Sequence, residues 1–78
     1  MRIKFSTFDK VNQFVKATTS FESDIFAKSG RYVIDAKSLM GMYSLDLSKE
    51  LELEIVEKAK GETDKLVAKL RELKIIVE

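Results

Sequence analysis

Residues 24–35 read Asp24-Ile25-Phe26-Ala27-Lys28-Ser29-Gly30-Arg31-Tyr32-Val33-Ile34-Asp35. Two β-rich runs, 24–28 and 31–35, meet across Ser29-Gly30, a dipeptide suited to a two-residue hairpin because Gly takes up positive φ without steric cost. The runs are therefore expected to be antiparallel neighbours. Further along, Glu50-Leu51-Glu52-Leu53-Glu54-Ile55 alternates with a period of two, sending Leu51, Leu53 and Ile55 to a core and the three glutamates to water. One face of the sheet is thus expected to be solvated. Ile3 and Phe5 alternate with Arg2, Lys4 and Ser6, the pattern of a further half-buried strand over 2–6.

Elsewhere the period is helical. Val11, Phe14, Val15, Thr18 and Phe21 recur at steps of three and four and predict a helix over about 8–20, with Ser6 and Asp9 spaced as a capping box. Leu39, Met42 and Tyr43 fit about two turns between Lys37 and Leu45, with Ser38 at the N-cap and Gly41 as an unfavourable interior residue. Leu66, Val67, Leu70 and Leu73 predict a last helix over about 62–74, begun near Glu62 or Thr63. The order β-α-β-β-α-β-α, four strands with three helices stacked on one face, describes a two-layer α+β open sandwich.

Composition narrows the function classes. The chain has 78 residues, 45% of them hydrophobic and 35% charged, which suits a single folded domain over 1–78 and is too apolar for disorder. There is no Cys, His, Pro or Trp. A disulfide framework, a thiol nucleophile and all imidazole chemistry are therefore excluded for this chain. Fourteen Lys and Arg against thirteen Asp and Glu give +1, so no net field favours direct binding of nucleic acid. No long apolar stretch follows Met1, so neither a signal peptide nor membrane insertion is expected, and the cytoplasm is favoured. All five Phe, at 5, 8, 14, 21 and 26, fall in the first third, which predicts a core with its bulk in the N-terminal half.

The stretch Ala36-Lys37-Ser38-Leu39-Met40-Gly41-Met42-Tyr43-Ser44-Leu45 resembles the Lys-Ser-Ile-Met-Gly-x-x-Ser-Leu signature of the HPr family, the phosphocarriers of the bacterial sugar phosphotransferase system. The likeness runs on through Asp46-Leu47-Ser48-Lys49. Val15-Lys16-Ala17-Thr18-Thr19-Ser20-Phe21 with Ser23-Asp24-Ile25 resembles the end of that family's first helix and the start of its second strand. The resemblance implies an HPr-like antiparallel sheet in the order 1-4-2-3.

It also exposes a departure. The family accepts phosphate on a histidine in Gly-x-His-Ala-Arg-Pro-Ala. An ungapped alignment from Ser38 puts that histidine at Thr7, its arginine at Asp9 and its proline at Lys10. Phosphoryl relay needs a nucleophile whose phosphorylated form is a high-energy donor, with cations and amides to hold the anion. Thr7 offers at most a stable ester, and Asp9 places a negative charge where the phosphate would sit. The chain holds no histidine, so a shift of the alignment rescues nothing, and no catalytic residue is assigned.

Ser38 is retained. In the low-GC Gram-positive members the corresponding serine is phosphorylated by a dedicated kinase, and the phosphoserine form binds a transcriptional regulator of carbon catabolite repression. Histidine-free relatives that keep this serine exist. The resemblance thus implies regulatory phosphorylation at Ser38, where a dianionic phosphate would face the positive end of the helix starting at Leu39, with Lys37 nearby. An N-cap role for the same hydroxyl is fully compatible with this. Met40 lies off the Leu39/Met42/Tyr43 face. It is either exposed, bordering with Leu47 the apolar docking patch that the family uses, or a filler of a core gap.

Lys37, Leu39, Met40 and Leu47 are accordingly the candidate partner-binding residues. The implied partner is a protein: a serine kinase, a transcriptional regulator or a phosphotransferase component. Asp9 puts in doubt any partner selected by the missing arginine. No enzyme activity, cofactor or metal is expected; as a cation site, Glu50, Glu52 and Glu54 stand about 7 Å apart along the strand, too wide for one compact oxygen shell. The alternative function is structural, an assembly module that keeps the fold as a homodimer. The apolar tail Lys74-Ile75-Ile76-Val77 would then either cap the core or add a strand in a dimer.

Overall fold

In the computed structural model, which describes residues 1–77, seven elements follow in chain order. They are β1 (Arg2–Ile3), α1 (Phe8–Thr19), β2 (Asp24–Ser29), β3 (Tyr32–Asp35), α2 (Leu39–Tyr43), β4 (Leu51–Val56) and α3 (Glu62–Glu72). The strands form one antiparallel sheet in the order β1-β4-β2-β3, and the three helices cover one face of it, as expected. Ala27 on β2 sits opposite both Ile34 on β3 and Leu53 on β4, so one row of apolar residues faces the helices.

Above that row, α1 contributes Val11, Phe14 and Ala17, α3 contributes Leu66 and Leu70, and α2 contributes Met42, all buried. Phe5 meets Phe14 edge to face at 5.2 Å between ring centroids, a favoured aromatic geometry. The aromatic core is smaller than expected. Phe5 and Phe14 are buried, Phe21 and Phe26 are half-buried, and Phe8 is 71% exposed.

The open face carries the glutamate row, and its charges are paired. Arg2 meets Glu50 at 3.3 Å, the N-terminal amine meets Glu52 at 2.9 Å, and Lys28 pairs with Glu54. Charged pairs on a solvated sheet face contribute little energy but discourage edge association.

Several boundaries differ from the sequence reading. β1 ends at Ile3 because its partner β4 begins at Leu51, which is opposite Ile3, leaving Lys4 and Phe5 nothing to pair with there. The N-cap of α1 is Thr7, not Ser6. The hairpin turn is Gly30-Arg31, since Ser29 still pairs with Tyr32; Gly30 has the anticipated positive φ of 58°. α3 begins at Glu62, as expected, following Gly61 at φ 84° without a side-chain cap, and ends at Glu72, two residues short of the expected 74. Of the expected α2 face, Met42 alone is buried, because a helix of five residues reaches the core through little more than one side chain.

The tail closes on its own chain. Lys4 N–H donates to Ile75 O at 2.9 Å, Val77 N–H donates to Arg2 O at 3.1 Å, and Ile3 and Ile76 form an antiparallel bridge. Ile75 is 1% exposed. The segment therefore caps the core and covers the free side of β1 within one molecule, instead of supplying a strand to a partner.

Candidate functional site

The helices α1 and α2 pass each other head to tail. The start of α1 meets the end of α2, where Phe8 packs on Tyr43, and the start of α2 lies against the end of α1, where Thr18 Oγ1 donates to Ala36 O and Lys37 Nζ to Phe21 O. Thr7 has extended backbone angles (φ −146°, ψ 163°), and its Oγ1 accepts a hydrogen bond from Lys10 N–H at 3.3 Å. It is an ordinary capping threonine, using its hydroxyl on an orphan amide of the first turn. Asp9 lies exposed in that turn, where a carboxylate is favoured by the helix dipole. Lys10, aligned with the family's proline, points away, its Nζ donating to Leu73 O at 2.6 Å.

Ser38 is half-buried at the N-cap of α2. Its Oγ accepts from Gly41 N–H at 3.0 Å, while its carbonyl accepts from Met42 N–H at 2.9 Å. The close approach of α2 to β3 requires the glycine that the helix reading disfavoured. A Cβ at Gly41 would stand 2.8 Å from Ile34 Cγ2 and 3.1 Å from Ser38 Oγ. Lys37 does not reach toward its neighbour's hydroxyl. Its Nζ donates to Phe21 O at 2.7 Å, and its amide donates to Asp35 Oδ1 at 2.9 Å.

Around Ser38 the surface is apolar. Met40 is 84% exposed and Leu39 is 38% exposed, while Leu47 is half-buried against the core. Leu47 shares a groove with Phe5, Thr7, Phe8 and Val11, so the aligned histidine position and the docking-patch position lie in one depression. The 46–48 turn is held by Asp46, whose carboxylate accepts from the Ser48 hydroxyl at 2.6 Å and the Ser48 amide at 3.1 Å. These two bonds, with Lys49 beside them, hold the Asp46 pKa below its ordinary value.

The sequence reading missed two members of this surface. Phe8 and Tyr43 stack at a tilt, 6.0 Å between centroids, and Tyr43 Oη donates to Asn12 Oδ1 at 3.1 Å. Phe8 is the first helical residue, a full turn ahead of Val11, the first buried one. That overhang is the signal that Phe8 lies outside the core. Among the described residues, no cluster of acidic side chains is arranged to hold a metal ion.

Residues 10–74 match the family described as the PTS HPr component phosphorylation site. Among solved structures, an HPr dimer from Thermoanaerobacter tengcongensis is similar with a TM-score of 0.69 and 28% identity, over 83% of this chain and 77% of that one. The Bacillus subtilis catabolite repression protein Crh, described as a dimer with a swapping domain, is similar with a TM-score of 0.68 and 26% identity, over 100% of this chain and 90% of that one. No curated protein sequence matches the chain significantly.

Proposed function

The chain belongs to the HPr family, and from that premise we propose that it is a regulatory binding module of the phosphotransferase system that carries no phosphohistidine. The observation that carries this reading is a contrast between two helix caps. At α1 the cap is Thr7 in a chain without histidine; at α2 the cap is Ser38, set beside the exposed Met40 and Leu39. The carrier chemistry is absent, whereas a serine and an apolar surface beside it are in place.

In this reading Ser38 is the regulatory phosphorylation site, and Lys37, Leu39, Met40 and Leu47 border the surface that a protein partner covers. The partner is a serine kinase, a transcriptional regulator or a phosphotransferase component, and the likeness to Crh favours a role in carbon catabolite control. Modification would displace the Gly41 amide from the Ser38 hydroxyl and add about two negative charges. Lys37 would have to leave the Phe21 carbonyl to reach them. The module is non-catalytic and cytoplasmic; no helix among the described residues is long and apolar enough to cross a membrane.

Incubation with the host serine kinase and ATP, followed by mass spectrometry, is expected to give one phosphate, located on Ser38 and lost in Ser38→Ala. An unmodified chain would remove the switch. A phosphoenolpyruvate-driven transfer assay is expected to yield no acid-labile phosphoprotein.

A second reading, a homodimeric assembly module, is favoured by the dimeric state of both solved relatives. The cis-paired tail speaks against the 75–77 segment as its interface.

A further inference from the structure

We propose that the outer face of α1 is the surface on which a second copy of this chain docks, the two α1 helices running antiparallel about a twofold axis between Asn12 and Gln13. This assignment rests on the homodimer reading. The argument begins with charge order along the helix. Asp9 and Lys16 are seven residues apart, two turns, so they lie on one stripe about 10 Å apart. Asn12 and Gln13 stand midway between them. A twofold packing makes residue i meet j and j meet i; here it sets Asp9 against the partner's Lys16, Lys16 against the partner's Asp9, and Asn12 against the partner's Gln13. A parallel packing would oppose like charges instead.

The structure brings these four side chains together. Asp9, Asn12, Gln13 and Lys16 line one shallow groove, closed on the α2 side by Leu39, and all four are exposed. Among the described residues, the ion pairs lie elsewhere and leave Asp9 and Lys16 unmatched within the chain. The neighbouring cations Lys10 and Lys37 are already committed to carbonyl oxygens. Asn12 uses its carbonyl on Tyr43, which leaves its amide N–H groups to donate to a partner's Gln13.

Leu39, at the edge of the groove, and the exposed Phe8 and Tyr43, which touch each other and, through Tyr43, Asn12, supply apolar area, while the charge pairs fix the register. Self-association there would cover Leu39, a residue of the surface offered to other proteins, so dimer and partner complex would compete. Of the two sheet edges, β1 is covered by the 75–77 segment, while β3 is paired, among the described residues, only with β2.

Sedimentation equilibrium of the full chain from about 10 μM to about 1 mM tests the assignment. The wild type is expected to self-associate. Asp9→Lys and Lys16→Glu, each creating two like-charge contacts per dimer, are expected to weaken association about tenfold or more. The double variant is expected to recover it to within about threefold of wild type. It keeps both unfavourable charges relative to the helix dipole, so recovery would not come from a firmer α1. Association unaffected by the single variants, or lost in both and not recovered in the double, overturns this interface and leaves the homodimer reading standing. A wild type that stays monomeric through the range overturns both.

Discussion

Lys74 carries the clearest local strain in the chain, at φ 60° in the left-handed region. It follows the C-cap Leu73, with Lys74 N–H donating to Arg71 O and Ile75 N–H donating to Leu70 O, both at 3.0 Å. This is the Schellman pattern, completed by the contact of two buried side chains, Leu70 and Ile75. A Cβ costs roughly 1–2 kcal/mol in that conformation, partly offset by the greater freedom glycine has when unfolded. Lys74→Gly is therefore expected to raise stability by about 1 kcal/mol and Tm by several degrees, measured by thermal denaturation. Helical periodicity ended the helix near the right residue. The left-handed lysine was not legible, because no glycine or asparagine marks the position and the tail's pairing with β1 imposes the turn.

α2 shows how an element overrides propensity. Its five residues include Gly41, which disfavours helix by about 1 kcal/mol relative to Ala. Nevertheless the helix forms where the sequence placed it, with the anticipated Ser38 cap. The glycine is there for contact, since a Cβ would press on Ile34 and Ser38. Gly41→Ala is thus expected to destabilise by roughly 1–3 kcal/mol in urea denaturation, despite alanine's better propensity, because the overpacked helix must lift from β3. A stabilised variant would show that the Ile34 contact yields freely. At α1 the reading of the cap slipped by one residue, because Ser6 and Thr7 are both competent caps and only the path out of β1 chooses between them.

At the scale of the whole molecule, a carboxylate within electrostatic reach of Lys37 ties the start of α3 to the loop that follows α1. Glu62, at the first position of α3, accepts hydrogen bonds from Ser23 Oγ at 2.6 Å, Ser23 N–H at 2.8 Å and Glu22 N–H at 3.1 Å. Ser23 Oγ in turn accepts from Lys58 N–H at 3.0 Å. The Ser23 hydroxyl foremost, then the amides, hold the Glu62 pKa below its ordinary value against the effect of burial. Glu57, which accepts from Thr63 N–H, is shifted in the same direction. A lowered folded pKa means that the unfolded chain binds protons first. The stabilisation is complete above the ordinary carboxylate range and is lost as pH falls below about 4.5 through the folded value. Glu62→Gln is expected to lower stability at pH 7 and flatten the acid limb of a denaturation-versus-pH profile. An unchanged acid limb would show that Glu62 does not couple folding to pH.

The sequence by itself determined the element order, the two-layer α+β class, the cap of α2 and the absence of phosphohistidine chemistry. Each of these follows from local periodicity, cap chemistry or the residue types present. The tertiary structure alone decided which apolar residues stay outside. Phe8 and Tyr43 look like core in a helical pattern, yet α1 begins a turn before its first buried residue and α2 is too short to bury more than Met42. It also decided that the apolar tail belongs to its own β1, and that Lys10 and Lys37 spend their charges on carbonyls. Such outcomes depend on groups from different elements meeting in space, as Lys37 meets Phe21 across a separation of 16 and Lys10 meets Leu73 across 63, and no local pattern encodes that.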